Sequence, residues 1–163
     1  MASSSTEDQD LRTTIEATVT EFLNAPARAL AAKDASVFLE GLTPDCTHYL
    51  RPLAFVTANP QLKGVKSNGE QKALMETVLP RIEEFQRVTV RELVIDVEKR
   101  KASVLAEHDT RIVGAAEANT LEVAWFFDLT DDGKNISRVS EFIDSATAEK
   151  RVAGMKKHGF LKE

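Results

Sequence analysis

The residues best suited to proton transfer are one glutamate and two histidines, all in segments of strand-like alternation. In Val139-Ser140-Glu141-Phe142-Ile143 a period of two puts Val139, Glu141 and Ile143 on one face. Arg138, Ser140, Phe142 and Asp144 take the other. A carboxyl held among apolar neighbours loses hydration, which raises its pKa toward neutrality and lets it take a proton and return it elsewhere. His48 lies in Cys46-Thr47-His48-Tyr49-Leu50-Arg51-Pro52, and His108 shares a face with Val104, Ala106, Thr110 and Ile112. An imidazole titrating near 6.5 suits the same chemistry. Two imidazoles and a carboxylate make an acid/base set fit for isomerisation or dehydration. A plainer reading stays open: Glu141 pairs with Arg111 or Arg138 and only fixes the sheet, and the histidines are strand residues with backbone partners. His158, in the basic run Lys156-Lys157-His158, reads as solvated.

Other chemistries find no support. Asp128, Asp131 and Asp132 before Gly133 suggest a calcium loop, but Thr130 occupies a ligand slot and Val139 stands where the closing glutamate belongs. The histidines lack metal-ligand spacing, so no metal site is expected. Cys46 is the single cysteine and reads as a small buried residue. There is no nucleophile elbow, P-loop or dinucleotide fingerprint. Nothing in the sequence requires a cofactor.

These groups need elements to position them. The chain has 163 residues, 42% apolar and 29% charged, which fits one soluble domain with room for a core and an internal cavity. A net charge of −5 argues against a phosphate-tracking surface, so no nucleic acid is expected. No apolar run is long enough for a bilayer, and the polar, acidic amino terminus lacks the pattern of a signal peptide. The expectation is a cytoplasmic protein that does not enter membranes. Residues 1–10 read as a disordered tail, 11–157 as the domain and 158–163 as a second tail. Leu11, Ile15, Val19, Phe22, Leu23, Ala27 and Leu30 form a helical stripe, with Pro26 kinking it. Asp34 caps a short second helix. Cys46–Pro52 is a strand ended or held at an edge by Pro52, and 54–69 is a loop. Ser67 and Glu70 have the spacing of a capping box before a third helix that runs through Pro80 to Phe85. Four long strands follow, near 88–97, 102–113, 120–129 and 135–144. A closing helix capped by Ser145 carries Ala148, Val152 and Met155.

The third long strand, Leu121-Glu122-Val123-Ala124-Trp125-Phe126-Phe127, is apolar on both faces, so both must be covered. The amino-terminal helices cover one. Too few helices remain for the other, which predicts a homodimer through the uncovered face.

Helices first and a meander of strands after them make an α+β fold. With Phe38-Leu39-Glu40-Gly41-Leu42-Thr43-Pro44-Asp45-Cys46-Thr47, Ser67-Asn68, Trp125-Phe126-Phe127-Asp128 and Val139-Ser140-Glu141-Phe142-Ile143-Asp144, this order resembles the NTF2-like superfamily. The text is most similar to its SnoaL-like branch, especially small fungal proteins of secondary metabolism. The resemblance spans about residues 11–155. It implies a cone in which a curved antiparallel sheet wraps the amino-terminal helices. Catalytic members commonly carry a carboxylate where Glu141 stands, which turns Val139, Glu141 and Ile143 inward. Leu121, Val123 and Trp125 then line the cavity with Thr110 and Leu50, which leaves Ala124, Phe126 and Phe142 on the outer sheet face for the homodimer. His108 and His48 match positions that are polar in several relatives.

The implied activity is that of a cofactor-free isomerase, cyclase or dehydratase acting on a hydrophobic polyketide- or terpenoid-derived intermediate. Glu141 serves as general base or proton shuttle, His48 and His108 polarise or protonate an oxygen, and Trp125 shapes the cavity. The alternative is a non-catalytic dimeric binding or scaffold domain, favoured by the small number of inward polar groups. Asp128 and Asp144 read as turn and dimer-contact residues, and Tyr49 and Arg51 face away.

Overall fold

A computed structural model describes residues 3–157, apart from the side chains of residues 3–5 and 86. His158 and the 158–163 tail therefore lie outside the described residues. The elements are α1 (Ser3–Ala32), β1 (Leu42–Arg51), α2 (Leu53–Ala58), β2 (Val65–Ser67), α3 (Asn68–Val78), β3 (Ile82–Asp96), β4 (Lys101–Ile112), β5 (Asn119–Leu129), β6 (Ile136–Ile143) and α4 (Ser145–Lys157). The strands form one sheet in the order β2-β1-β6-β5-β4-β3. Neighbours are antiparallel except β1 and β6, which run parallel. Three register shifts along β3 mark bulges, which bend a long strand and curl the sheet around α1.

The helical stripe holds through Leu23; around Pro26 the buried residues are Ala25 and Ala29, while Ala27 is exposed. Ile15, Val19 and Leu23 are buried against Cys46, Val104, Phe127, Ile136 and Val139 on the inner face of the sheet. Gly133 lets α1 approach the β5–β6 turn: its φ of +70° favours glycine, and a Cβ there would stand 2.8 Å from Ile15. The Thr18 hydroxyl donates to the Gly133 carbonyl at 2.8 Å across the same contact. Among the described residues, no helix is long and apolar enough to cross a membrane.

Local chemistry sets the boundaries, in places differently from the sequence pattern. Asp34 caps as expected, but the element it opens is a 3-10 turn, Ala35–Leu39. The Ser67–Glu70 capping box forms at the start of α3. That helix stops at Val78, because Pro80 sits in a separate 3-10 turn and β3 begins at Ile82, within the stretch the apolar spacing extends as helix. The 54–69 loop contains a helix and a strand, α2 and β2. The cap of α4 is Asp144 rather than Ser145: its carboxylate accepts from the backbone N–H groups of Ala146 and Thr147. α1 is helical from Ser3, through residues that composition alone leaves as a tail.

Candidate active site

Strand parity turns one row of side chains toward the interior. His48, Leu50, Val123, Val139, Ile143 and Thr110 are buried, and Leu121, Trp125, His108 and Glu141 are half-buried on the same inner face. Phe126 and Phe142 point the other way and are about half exposed (52% and 51%). Leu50, Val123 and Ile143 form an apolar cluster with Phe55 of α2 and Ala148 of α4, which closes over that end of the sheet.

Glu141 sits directly between Leu50 of β1 and Trp125 of β5 in the pairing register. Its carboxylate makes no hydrogen bond or ion pair with any described residue. Neither arginine that offered a structural role reaches it. Arg111 pairs with Glu83 and Glu84, while Arg138 lies 3.7 Å from Asp128 and stacks 4.7 Å above the Tyr49 ring. Burial pushes the Glu141 carboxyl above the ordinary carboxylate range, and the Lys66 ammonium opposes this in part.

Lys66 is the residue that sequence reasoning missed. It lies on the three-residue strand β2, paired with His48, and is only 3% exposed. Its ammonium donates to the Leu62 and Lys63 carbonyls at 3.4 and 3.3 Å. Burial lowers its pKa against the pull of Glu141 and Glu70. Burial thus raises the acid and lowers the base, and each charge partly offsets the shift of the other. The strand was too short for periodicity to reveal; Val-Lys-Ser alternation was the only signal.

His48 lies one diagonal step from Glu141, opposite Val139. Its tautomer follows from Asn68. The Asn68 amide nitrogen donates to the Thr43 and Pro44 carbonyls at 2.8 and 3.2 Å, which turns its oxygen toward His48 Nε2, 2.9 Å away. An amide oxygen only accepts, so Nε2 carries the hydrogen and Nδ1 keeps a lone pair. Burial, with the Lys66 charge, lowers the His48 pKa despite the Asn68 bond, favouring the neutral ring.

His108 stands on the far side of Trp125 from Glu141. The indole N–H donates to His108 Nε2 at 3.0 Å, so the neutral ring bears its hydrogen on Nδ1. Burial and the Arg151 charge press its pKa down to about 4. At neutral pH it can therefore offer a hydrogen bond to an oxygen but not a full proton. Trp125 itself is held edge-on by Phe22 of α1, with centroids 5.4 Å apart, and stacks on Phe127 at 6.1 Å. It is both a wall of the interior and the group that orients His108.

The three sequence candidates thus lie in one strip across β1, β6, β5 and β4, joined by Trp125 and extended by Lys66 and Asn68. Among the described residues no group of three His, Cys, Asp or Glu side chains could hold a metal ion. Two concavities, of about 520 and 710 Å3, lie outside this strip, on the outer sheet face and between α1 and the β3–β4 turn.

No family model matches the sequence, and no curated protein matches it either. Solved structures do match in shape. The BvnE pinacolase from Penicillium brevicompactum superposes with a TM-score of 0.76 at 14% identity, over 91% of this chain and 99% of its own. PrhC from Penicillium brasilianum gives 0.75 at 16% identity, over 93% and 94%. An NTF2-like protein of unknown function from Burkholderia pseudomallei gives 0.63 at 19% identity, over 84% and 95%. At such identities the shared property is architecture. A long first helix held in the curl of an open sheet is the NTF2-like fold, and this chain has it.

Proposed function

We propose that this protein is an acid/base catalyst of isomerase, cyclase or dehydratase type, moving a proton within a hydrophobic small molecule. The observation that carries the reading is Glu141: an unpaired carboxyl in a desolvated strip, with a buried lysine as its counter-charge. In the ionised form it takes a proton from a carbon or hydroxyl of the substrate, and in the neutral form it returns one. His108 Nδ1–H and the buried Lys66 ammonium stabilise the oxygen on which charge develops, and His48 Nδ1 is the second open proton acceptor. Leu50, Leu121, Val123, Trp125, Val139 and Ile143 supply apolar walls, which suit a polyketide- or terpenoid-derived skeleton. The match in shape to a protein named a pinacolase supports isomerase-type chemistry on this scaffold.

Deuterium incorporation tests this. Hydrophobic polycyclic ketones incubated with the protein in deuterated water should exchange hydrogens next to the carbonyl faster than in buffer. Glu141→Gln should remove at least about a hundredfold of that acceleration, the scale of a positioned general base. Equal exchange by the two proteins would sink the mechanism.

The outer face supports a dimer. Val94, Leu105, Phe126 and Phe142 are all more than a third exposed there, on adjacent strands β3 to β6, with Ala124 between Leu105 and Phe142 in the register. A second copy of the chain, set sheet to sheet, would remove this apolar band from water.

A further inference from the structure

We propose that Arg151, Asn119 and Thr110 form a binding corner for the carboxylate of an otherwise hydrophobic ligand, at the α4 end of the inner face. This rests on reading that face as the ligand site. Arg151 lies on the apolar side of α4, three residues after Ala148 and four before Met155, both buried. Its Nη2 donates to the backbone and side-chain oxygens of Asn119, at 3.2 and 3.1 Å. Both acceptors are neutral. Its Nε is buried with no partner. Arg28, Arg91, Arg111 and Arg138 each stand within 4.0 Å of a carboxylate. Arg151 has no such counter-charge among the described residues, and burial alone acts on its pKa.

A desolvated guanidinium without an anion is costly to keep in a fold. A second orphan lies beside it. Thr110 is directly across the β4–β5 pairing from Asn119, is 1% exposed, and its hydroxyl has no partner. A planar guanidinium and a hydroxyl are both donors, a set that complements one carboxylate. Apolar neighbours Leu121 and Val152 disfavour a dianion such as phosphate, which would bring a second unbalanced charge. Trp125 separates this corner from Glu141, so a bound carboxylate would be held away from the catalytic one, and the hydrophobic body of the ligand would lie across the indole.

Trp125 is the only tryptophan, so its fluorescence reports binding directly. The probes are 1-adamantanecarboxylate and the neutral 1-adamantanecarboxamide. The carboxylate should bind at least about tenfold more tightly, as charge-assisted hydrogen bonds require. Arg151→Gln should abolish that preference, and Thr110→Val should weaken the carboxylate several-fold while leaving the carboxamide unchanged. Equal binding of the two probes, no carboxylate binding at millimolar concentration, or a preference that survives in folded Arg151→Gln would each overturn the proposal. If circular dichroism shows that variant unfolded, the wild-type ratio and Thr110→Val decide. Glu141→Gln should keep the preference, so equal exchange by wild type and Glu141→Gln with the preference intact refutes catalysis and leaves this corner standing.

Discussion

Replacing Asn68 by alanine should test whether the amide does two jobs at once, holding the β1 entrance and fixing the His48 tautomer. The substitution removes the acceptor for His48 Nε2–H and the donations to Thr43 and Pro44. His48 is 5% exposed, so its stranded N–H costs about 1–3 kcal/mol. The two carbonyls lie nearer water and each lose about 0.5 kcal/mol. The sum is roughly 2–4 kcal/mol, a fall in Tm of about 5–15 °C for a chain of this size. Urea unfolding followed by Trp125 fluorescence measures the first effect, and imidazole 15N shifts measure the second. Wild type should show His48 protonated at Nε2 alone, and the variant a mixture of tautomers. Asn68→Asp should keep the acceptor, raise the His48 pKa and lose less stability. A loss below about 0.5 kcal/mol, or a wild-type ring protonated at Nδ1, would refute the reasoning.

The remaining predictions are more local. His108 stays neutral in the fold down to about 4, whereas an unfolded imidazole titrates near 6.5. Between those values the unfolded chain binds more protons, so this residue removes stability as pH falls through the window, by up to about 3 kcal/mol. Glu141, with its raised pKa, acts in the opposite sense, so the His108 effect is read as the difference between wild type and His108→Asn in urea titrations at pH 7 and 4.5; parallel curves would contradict it. The Cys46 thiol is buried, with its pKa pushed up to about 12, and should resist Ellman's reagent at pH 8 until urea unfolds the chain; rapid labelling of the native protein would show otherwise. Phe126→Glu with Phe142→Glu should convert a dimer to a folded monomer in sedimentation velocity, and an unchanged species distribution would remove the outer-face interface.

Periodicity carried most of the fold. The α1 stripe and the four long strands follow from side chains that repeat every 3.6 or 2 positions over eight residues or more, long enough for the pattern to dominate. Parity on β6 grouped Glu141 with Val139 and Ile143, and the family resemblance turned that face inward, where Val139 and Ile143 are buried while Phe142 opposite is exposed. What the sequence concealed lies in short or composite pieces. β2 has three residues, too few to show alternation, so Lys66 looked like a loop lysine. The helix α3 and strand β3 share an apolar run, and only the three-residue 3-10 turn Leu79–Arg81 separates them. Arg151 falls on the Ala148–Met155 side of α4, a position where a charge conflicts with the apolar stripe. Such conflicts mark functional positions more often than framework ones. The hydrogen bond from Trp125 to His108 depends on how one indole leans along β5, a detail no spacing rule contains.

The most direct test is the titration of Glu141 itself. With glutamate side chains labelled at the carboxyl carbon, its 13C resonance can be assigned by difference from Glu141→Gln and followed from pH 3 to 9. A midpoint well above the ordinary 4.5, moving higher still in Lys66→Met, is the predicted result. A midpoint at or below 4.5, or one indifferent to Lys66, would mean that the carboxyl is hydrated or differently paired, and the proposed proton shuttle would fail.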